Sequence, residues 1–325
     1  MKLLIVLYHR SEIWRAPEWF AEGLCREFPG LEVVRRDGRE VSAADFADAD
    51  VVMNWSITLE QLAAAKKLRW IHSPAAAVHR LMIPELIRSD IAVTSARGLH
   101  GPVVAEHVIA LVLALAKRLP SAMRYQREKR WAQELLWKEN PPPREIAGAT
   151  LGLVGMGSIG SEVARLASAL GMKVVAVRAR KGASADVRTY GPDGLETMLG
   201  EADYVVLAAP VTPETVGMMN AQRLAAMKPE AYLINVSRGA LVDESALLNA
   251  LEGRKIAGAA LDVFEHEPLP RESPLWDVKN LLITPHSAGL TERLWQRHLD
   301  FMCENLRRFQ SGAALLGLVD KLRGY

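Results

Sequence analysis

Three stretches in the second half of the chain place reactive side chains directly after apolar runs. "INVSRGALVDE" sets Arg238 behind a buried-looking strand and follows it with a glycine that permits a sharp turn. "LDVFEHEPLP" offers Asp262, Glu265, His266 and Glu267, and "ITPHSAG" ends on His286. An imidazole titrates near neutrality and transfers protons, a guanidinium fork matches a planar anion, and a carboxylate orients its neighbours. Upstream, "TLGLVGMGSIGSEVARLASALG" holds Gly155, Gly157 and Gly160 in G-x-G-x-x-G spacing. The spacing alone is weak, but here it follows an apolar strand and opens a helix with Val163, Leu166, Ala167 and Leu170 on one face. Gly155 then permits the tight turn, Gly157 the approach of a pyrophosphate, and Gly160 close helix packing. The free N–H groups and the positive end of the helix accept phosphates, so the stretch predicts dinucleotide binding.

The next strand, "GMKVVAVRARKG", ends on Arg178, with Arg180 and Lys181 behind it. A carboxylate at this place hydrogen-bonds the ribose hydroxyls of NAD and repels the 2′-phosphate of NADP; an arginine reverses that preference. The expected cofactor is therefore NADP, with NAD the alternative and a solvated basic loop the reading without a ligand.

The elements that must position these groups alternate strictly. "KLLIVLY", "LEVVRR", "VVMNW", "RWIHS" and "IAVTS" read as strands, with "PEWFAEGLCREF" and "TLEQLAAAKK" among the intervening helices. Pro17 suits the first position of one helix and Thr58 the N-cap of the other. Alternation of this kind argues for a parallel sheet covered on both faces, and strand carboxyl ends in such sheets face the ligand crevice. A long helical segment at 101–131, apolar in front and charged behind, reads as a bridging or subunit-contact element; a homodimer through 102–131 is expected. "NPPPREIAG" is a rigid connector. A second alternating series runs from "TLGLVG" through "KVVAVR", "YVVLAAP", "AYLINVS", "GAALDV" and "LLITP", and a long amphipathic helix, "ERLWQRHLDFMCENLRRFQSG", follows. That last helix is expected to pack back on the first domain.

The 325 residues suffice for about two domains. With 40 basic against 38 acidic residues, no chain-wide field gathers nucleic acid or acidic lipid, so neither is an expected partner. Two cysteines, Cys25 and Cys303, lack metal-ligand spacing and are expected to be free, partly buried thiols; no metal is expected. The apolar run of "MKLLIVLY" is shorter than a secretory core, and "VIALVLALA" falls short of the roughly 20 residues that span a bilayer. A soluble, cytoplasmic protein is expected.

The glycine turn, "NVSRGALVDE", "LDVFEHEP" and "TPHSAG", in this order and spacing, resemble the D-isomer-specific 2-hydroxyacid dehydrogenase family. "VVAEHVIALVLALAKR" and "VDKLRGY" extend the resemblance over nearly the whole chain. It implies an α/β fold of two Rossmann-like, doubly wound parallel-sheet domains with a cleft between them. Residues 1–98 plus 287–325 would form a flavodoxin-like substrate-binding domain, and 99–286 the dinucleotide-binding domain. The family is usually dimeric and reduces 2-oxo acids to D-2-hydroxy acids with a nicotinamide cofactor.

Residue by residue, the resemblance implies a catalytic set of Arg238, Glu267 and His286. His286 would donate the proton, Glu267 would hold its ring and favour the imidazolium, and Arg238 would grip the substrate carboxylate and polarise its carbonyl. Gly155, Gly157, Ser158, Ile159, Gly160, Arg178, Arg180, Lys181, Pro210, Thr215, Val236 and Asp262 would hold the cofactor, Asp262 through the nicotinamide carboxamide. Glu265 and His266 are expected in a solvated loop, and His72, His79, His100 and His107 have no partner that sequence establishes. One departure concerns substrate binding: where the family commonly has a glycine-containing loop such as G-A-G-V-D, this chain has "SPAAAVHRL". Backbone N–H groups of Ala76 and Ala77 are the expected substrate contacts, although alanine resists the φ > 0 that glycine allows. NADPH-dependent reduction of glyoxylate or hydroxypyruvate is the leading expectation. A phosphonate-oxidising relative and a cofactor-sensing module of the corepressor type are the alternatives.

Overall fold

The computed structural model describes residues 1–7, 11–36, 41–76, 78–178 and 187–324. The chain divides into two compact units, one of Met1–His100 with Thr291–Tyr325 and one of Gly101–Leu290.

The first unit is built on β1 (Lys2–Val6), β2 (Glu32–Arg35), β3 (Val51–Asn54), β4 (Trp70–Ser73) and β5 (Ala92–Ser95). All pairings are parallel, in the order β2-β1-β3-β4-β5. Both faces are covered, which is why β3 and β4 are buried at every residue and β1 at all but its first. The period-2 geometry sorts their side chains: Leu3, Ile5 and Trp70 join one core, Leu4, Val52 and Ile71 the other. The helices are α1 (Glu18–Glu27), α2 (Leu59–Ala64), α3 (Pro84–Arg88) and, from the end of the chain, a helix over Leu294–Ser311. Thr58 caps α2 as expected: its hydroxyl accepts from Gln61 N, and the Gln61 side chain accepts from Thr58 N. Pro17 is the N-cap of α1 rather than its first residue, because its ψ of 161° is extended. The terminal helix packs on α1, with Trp295 edge-on to Phe20 at 5.5 Å and Leu299 over Gly23.

The second unit holds β6 (Thr150–Val154), β7 (Lys173–Val177), β8 (Arg188–Tyr190), β9 (Tyr204–Leu207), β10 (Tyr232–Asn235), β11 (Gly258–Leu261) and β12 (Leu281–Ile283). Its sheet is parallel in the order β12-β11-β10-β9-β6-β7-β8, so the winding reverses between β6 and β9. Its helices are α4 (Gly101–Ala116), α5 (Leu119–Arg127), α6 (Gln133–Trp137), α7 (Ser158–Ala169), α8 (Leu195–Glu201), α9 (Ala221–Ala225) and α10 (Glu244–Glu252); the terminal helix is α11.

Two further expectations are corrected. The helical segment 101–131 is not continuous: it breaks at Lys117–Arg118, where Arg118 turns left-handed at φ 57°, and α5 starts anew. Pro120 is the cause, since it lacks an N–H and its ring would strike the carbonyl four residues back. That carbonyl, of Ala116, instead accepts from Arg144 N at 2.8 Å, which ties the proline-rich connector to the end of α4. The thiols also differ from expectation: Cys25 is exposed and Cys303 buried, and both are free.

Candidate active site

Because every pairing in the second sheet is parallel, the carboxyl ends of its strands share one edge. The glycine turn follows β6 at the reversal point. Gly155 has φ +102°, and a Cβ there would lie 2.8 Å from the Ala208 and Ala209 backbone after β9. A Cβ on Gly160 would lie 2.2 Å from Gly155 O, so strand and helix touch only because both residues are glycine. Gly157, the N-cap of α7, meets nothing within 4 Å. Two tight glycines and one open one at a helix N-terminus form a cradle that fits a dinucleotide pyrophosphate.

Beside this turn, Thr215 Oγ1 donates to Pro210 O at 2.8 Å and accepts from Thr212 N at 2.7 Å, shaping the loop after β9. Ser237 Oγ donates to Ala209 O and links that loop to the end of β10, where Val236 is buried. Ser158 and Ile159 open α7. On the other side of β6, β7 ends at Val177, and Arg178 N donates to Tyr190 O of β8 at 3.1 Å. Arg180 and Lys181 lie outside the described residues, as does Ala77.

Arg238 follows β10, and Asn235 Nδ2 donates to its carbonyl at 2.9 Å. The next residue fixes its surroundings: a Cβ on Gly239 would lie 1.9 Å from Phe264 C, so this turn presses directly on the backbone leading to Glu267. Arg238 Nη1 donates to Ser237 O at 2.6 Å. The side chain is exposed in area yet closely surrounded, and desolvation pulls the guanidinium below its usual value while Glu267 pulls the other way; it stays a cation.

His286 and Glu267 meet, with Nδ1 2.6 Å from Oε2, and Glu267 Oε1 accepts Phe264 N at 3.0 Å. Burial works to raise the Glu267 carboxyl. The His286 hydrogen bond, the Phe264 N–H and the charges of His286 and Arg238 outweigh it and hold the group below its ordinary value. His286 has φ +51°, an unusual conformation for a residue with a Cβ. It is held by its own N–H, which donates to Asp262 O at 2.8 Å, and by the Asp262 carboxylate. That carboxylate is 1% exposed and accepts from Thr284 Oγ1 at 2.5 Å, Ser287 N at 2.9 Å and Ala288 N at 2.9 Å. Asp262 therefore clasps both flanks of His286, a function that sequence reasoning missed. Glu265 and His266 are exposed, as expected.

In the first unit, Ser73 Oγ accepts Ala75 N at 3.2 Å, and Ala75 O accepts Ala96 N at 3.2 Å. Ala76 is exposed, and neither Ala75 nor Ala76 has a positive φ. Neither of these two residues takes the left-handed step that a glycine-containing loop permits. Among the described residues no cluster of three or more His, Cys, Asp or Glu is placed to hold a metal ion, and no helix is long and apolar enough to cross a membrane.

Residues 109–288 match the family described as D-isomer specific 2-hydroxyacid dehydrogenase, NAD binding domain. A glyoxylate reductase of Korarchaeum cryptofilum is 36% identical over 271 residues, 82% of this chain and 80% of that protein. Among solved structures, a D-isomer specific 2-hydroxyacid dehydrogenase from Xanthobacter autotrophicus Py2, in complex with NADPH and MES, superposes with a TM-score of 0.84 at 32% identity, covering 99% of each chain. An NADPH-dependent glyoxylate/hydroxypyruvate reductase from Sinorhizobium meliloti, in complex with NADP and sulfate, gives 0.83 at 28% identity over 100% of each. Fold and family together define an oxidoreductase that uses a nicotinamide dinucleotide. The chain belongs to the D-isomer-specific 2-hydroxyacid dehydrogenases.

Proposed function

We propose that this protein reduces a small 2-oxo acid of the glyoxylate or hydroxypyruvate class to the D-2-hydroxy acid, with NADPH as the preferred cofactor. The observation that carries the reading is the His286–Glu267 hydrogen bond of 2.6 Å, held on the strand-end edge where Arg238 also lies. The bound dinucleotide supplies the hydride that reaches the carbonyl carbon. Everything else falls to the chain. With Nδ1 engaged by Glu267, the proton of His286 that reaches the carbonyl oxygen is the one on Nε2. Glu267, ionised at neutral pH, holds the ring in place through Nδ1. Arg238 binds the substrate carboxylate and polarises the carbonyl with the donors it does not give to Ser237. Gly155, Gly157, Ser158, Ile159 and Gly160 take the pyrophosphate, Pro210, Thr215 and Val236 line the cofactor, and Asp262 serves the nicotinamide end. Arg178, Arg180 and Lys181 read the 2′-phosphate, a role in keeping with the NADPH and NADP bound to the two neighbours. Ala76 and Ala77 are the substrate contacts in this reading.

We further infer a homodimer through 102–131. Leu119, Met123 and Trp131 are 48%, 54% and 93% exposed, and Trp137 just beyond them is 71% exposed, a concentration of apolar area suited to burial by a second copy. The free thiols fit a reducing, cytoplasmic compartment.

The test is oxidation of NADPH and NADH in parallel with glyoxylate, hydroxypyruvate, pyruvate and phenylpyruvate, on wild type and Arg178→Asp. Turnover favouring NADPH, with the preference lost in the variant, supports the reading. Equal use of both cofactors overturns the role of the basic cluster, and no turnover with any acid overturns the substrate class.

A further inference from the structure

His107 lies in the apolar helix α4, where Val103, Val104, Val108, Leu111 and Val112 are buried. Its side chain is 20% exposed and faces the clasp beneath His286: Nε2 is 3.2 Å from Thr284 Oγ1 and 3.7 Å from Asp262 Oδ1. The direction of the first contact follows from counting protons. Thr284 has a single hydroxyl proton, and it goes to the Asp262 carboxylate at 2.5 Å. A carboxylate only accepts, so Thr284 Oγ1 can only accept from His107. The His107 ring must therefore carry its proton on Nε2. Burial lowers the imidazole's pKa and the Asp262 charge only partly offsets it, which favours a neutral ring in this one tautomer.

The chain of donors then runs from α4 to the strand ends. His107 Nε2 donates to Thr284 Oγ1 and Thr284 Oγ1 to Asp262 Oδ1, which also accepts Ser287 N, while Asp262 Oδ2 accepts Ala288 N. Thr284 and Ser287 bracket His286 in sequence, and His286 occupies a left-handed conformation that local geometry does not favour. A conformation of that kind persists where its surroundings over-determine it. We propose that His107 is a positioning residue: by donating to Thr284 it directs the threonine proton onto Asp262 and so fixes the segment that presents His286 to Glu267. This rests on the reading of His286 as the proton donor.

Four single variants and one double variant test it. His107→Leu and Thr284→Val remove the donor and the hydroxyl; His107→Gln and Thr284→Ser retain them. The expected result is a kcat lowered about tenfold to hundredfold in the first two, with KM for the 2-oxo acid changed less than about threefold, since misplacing a reacting group by about 1 Å can cost about a hundredfold. The Gln and Ser variants keep most of the activity, and His107→Leu with Thr284→Val is no worse than either alone, as for residues acting through one link. Long-range 1H–15N spectra of the histidine rings give a readout independent of turnover. His107 should appear as the Nε2–H tautomer, and the His286 ring signals should move in His107→Leu but not in His107→Gln. Equal loss of kcat in the Leu and Gln variants, unchanged kcat in Leu, or a proton on His107 Nδ1 overturns the proposal. If the wild type turns over no 2-oxo acid, the functional reading fails, and the ring spectra alone decide whether His107 holds the His286 segment.

Discussion

The imidazole of His286 and the carboxylate of Glu267 are locked through Nδ1 and Oε2 at 2.6 Å, and the second Glu267 oxygen is held by Phe264 N at 3.0 Å. Glu267 thus has both oxygens committed, one to the backbone of its own loop and one to the ring. Replacing it with glutamine keeps an acceptor but removes the charge. Glu267→Gln is expected to lower kcat about a hundredfold, within the range of general acid–base contributions, and to leave KM for the 2-oxo acid nearly unchanged. Steady-state kinetics at pH 7 decide it, and an unaltered kcat removes Glu267 from the mechanism. The carboxyl pKa is held below its ordinary 4.5, so any activity lost between pH 7 and 5 does not come from protonating Glu267.

Gly239 is the second point of leverage. A Cβ there would sit 1.9 Å from Phe264 C and 2.2 Å from Glu265 N, and backbone cannot swing aside as a side-chain tip can. Gly239→Ala should destabilise the protein by about 3 kcal/mol or more, the upper range for overpacking, and lower Tm by roughly 10 °C. Arg238 would separate from the Glu267 loop in the same step, so activity should fall further than the loss of folded protein explains. Thermal unfolding and specific activity at 20 °C, measured on the same sample, test both halves; a variant with wild-type Tm would show that the two segments do not press together.

The parallel sheets were legible because short strand-like runs alternate strictly with helical stretches, and the glycine turn because its three positions have distinct steric demands. Arg238 and His286 stood out because each follows a strand end, where parallel pairing brings distant segments to one edge, and the resemblance to the family singled out Glu267 among the carboxylates after β11. The break at Arg118 was hidden by the good helical pattern on either side of it, and only Pro120 signalled it. The clasp of Asp262, Thr284 and His107 was not legible at all. His107 and Thr284 are 177 residues apart, and no local pattern records a hydrogen bond between a helix and a strand end. The resemblance puts Asp262 at the nicotinamide carboxamide, and its bonds to Thr284, Ser287 and Ala288 leave no mark in the sequence.

A stabilising substitution is available at the end of α10. Arg254 has φ +48°, in the left-handed position after the helix, and Lys255 N closes the turn onto Ala250 O at 2.8 Å. Glycine is preferred at this place because it has no Cβ to crowd the carbonyl. Arg254 is exposed. Arg254→Gly should gain about 0.5–1 kcal/mol and raise Tm by roughly 1–3 °C, without changing kcat. A lower Tm would mean that the arginine side chain contributes more than the strain it imposes.

Acid sensitivity should come from the first unit. His72 and His298 are buried to 0% and 2% exposure, and burial lowers each pKa from 6.5 to about 3, with a smaller contribution from a neighbouring histidine: His298 for His72 and His100 for His298. His298 packs against Trp295 at 5.2 Å and His100 at 5.7 Å, and His72 against Phe301 at 5.4 Å. Between pH 6.5 and 3 the unfolded chain binds a proton at each site and the folded chain does not. Stability therefore rises with pH across this window, is complete above 6.5, and falls on acidification by about 1.4 kcal/mol per pH unit for each histidine. Urea unfolding at pH 7.0, 6.0 and 5.0 should show this slope. His298→Phe, which keeps a flat ring against Trp295 but cannot take a proton, should remove about half of it. An identical slope in wild type and variant would mean that His298 is protonated in the folded protein, or that the acid sensitivity lies elsewhere.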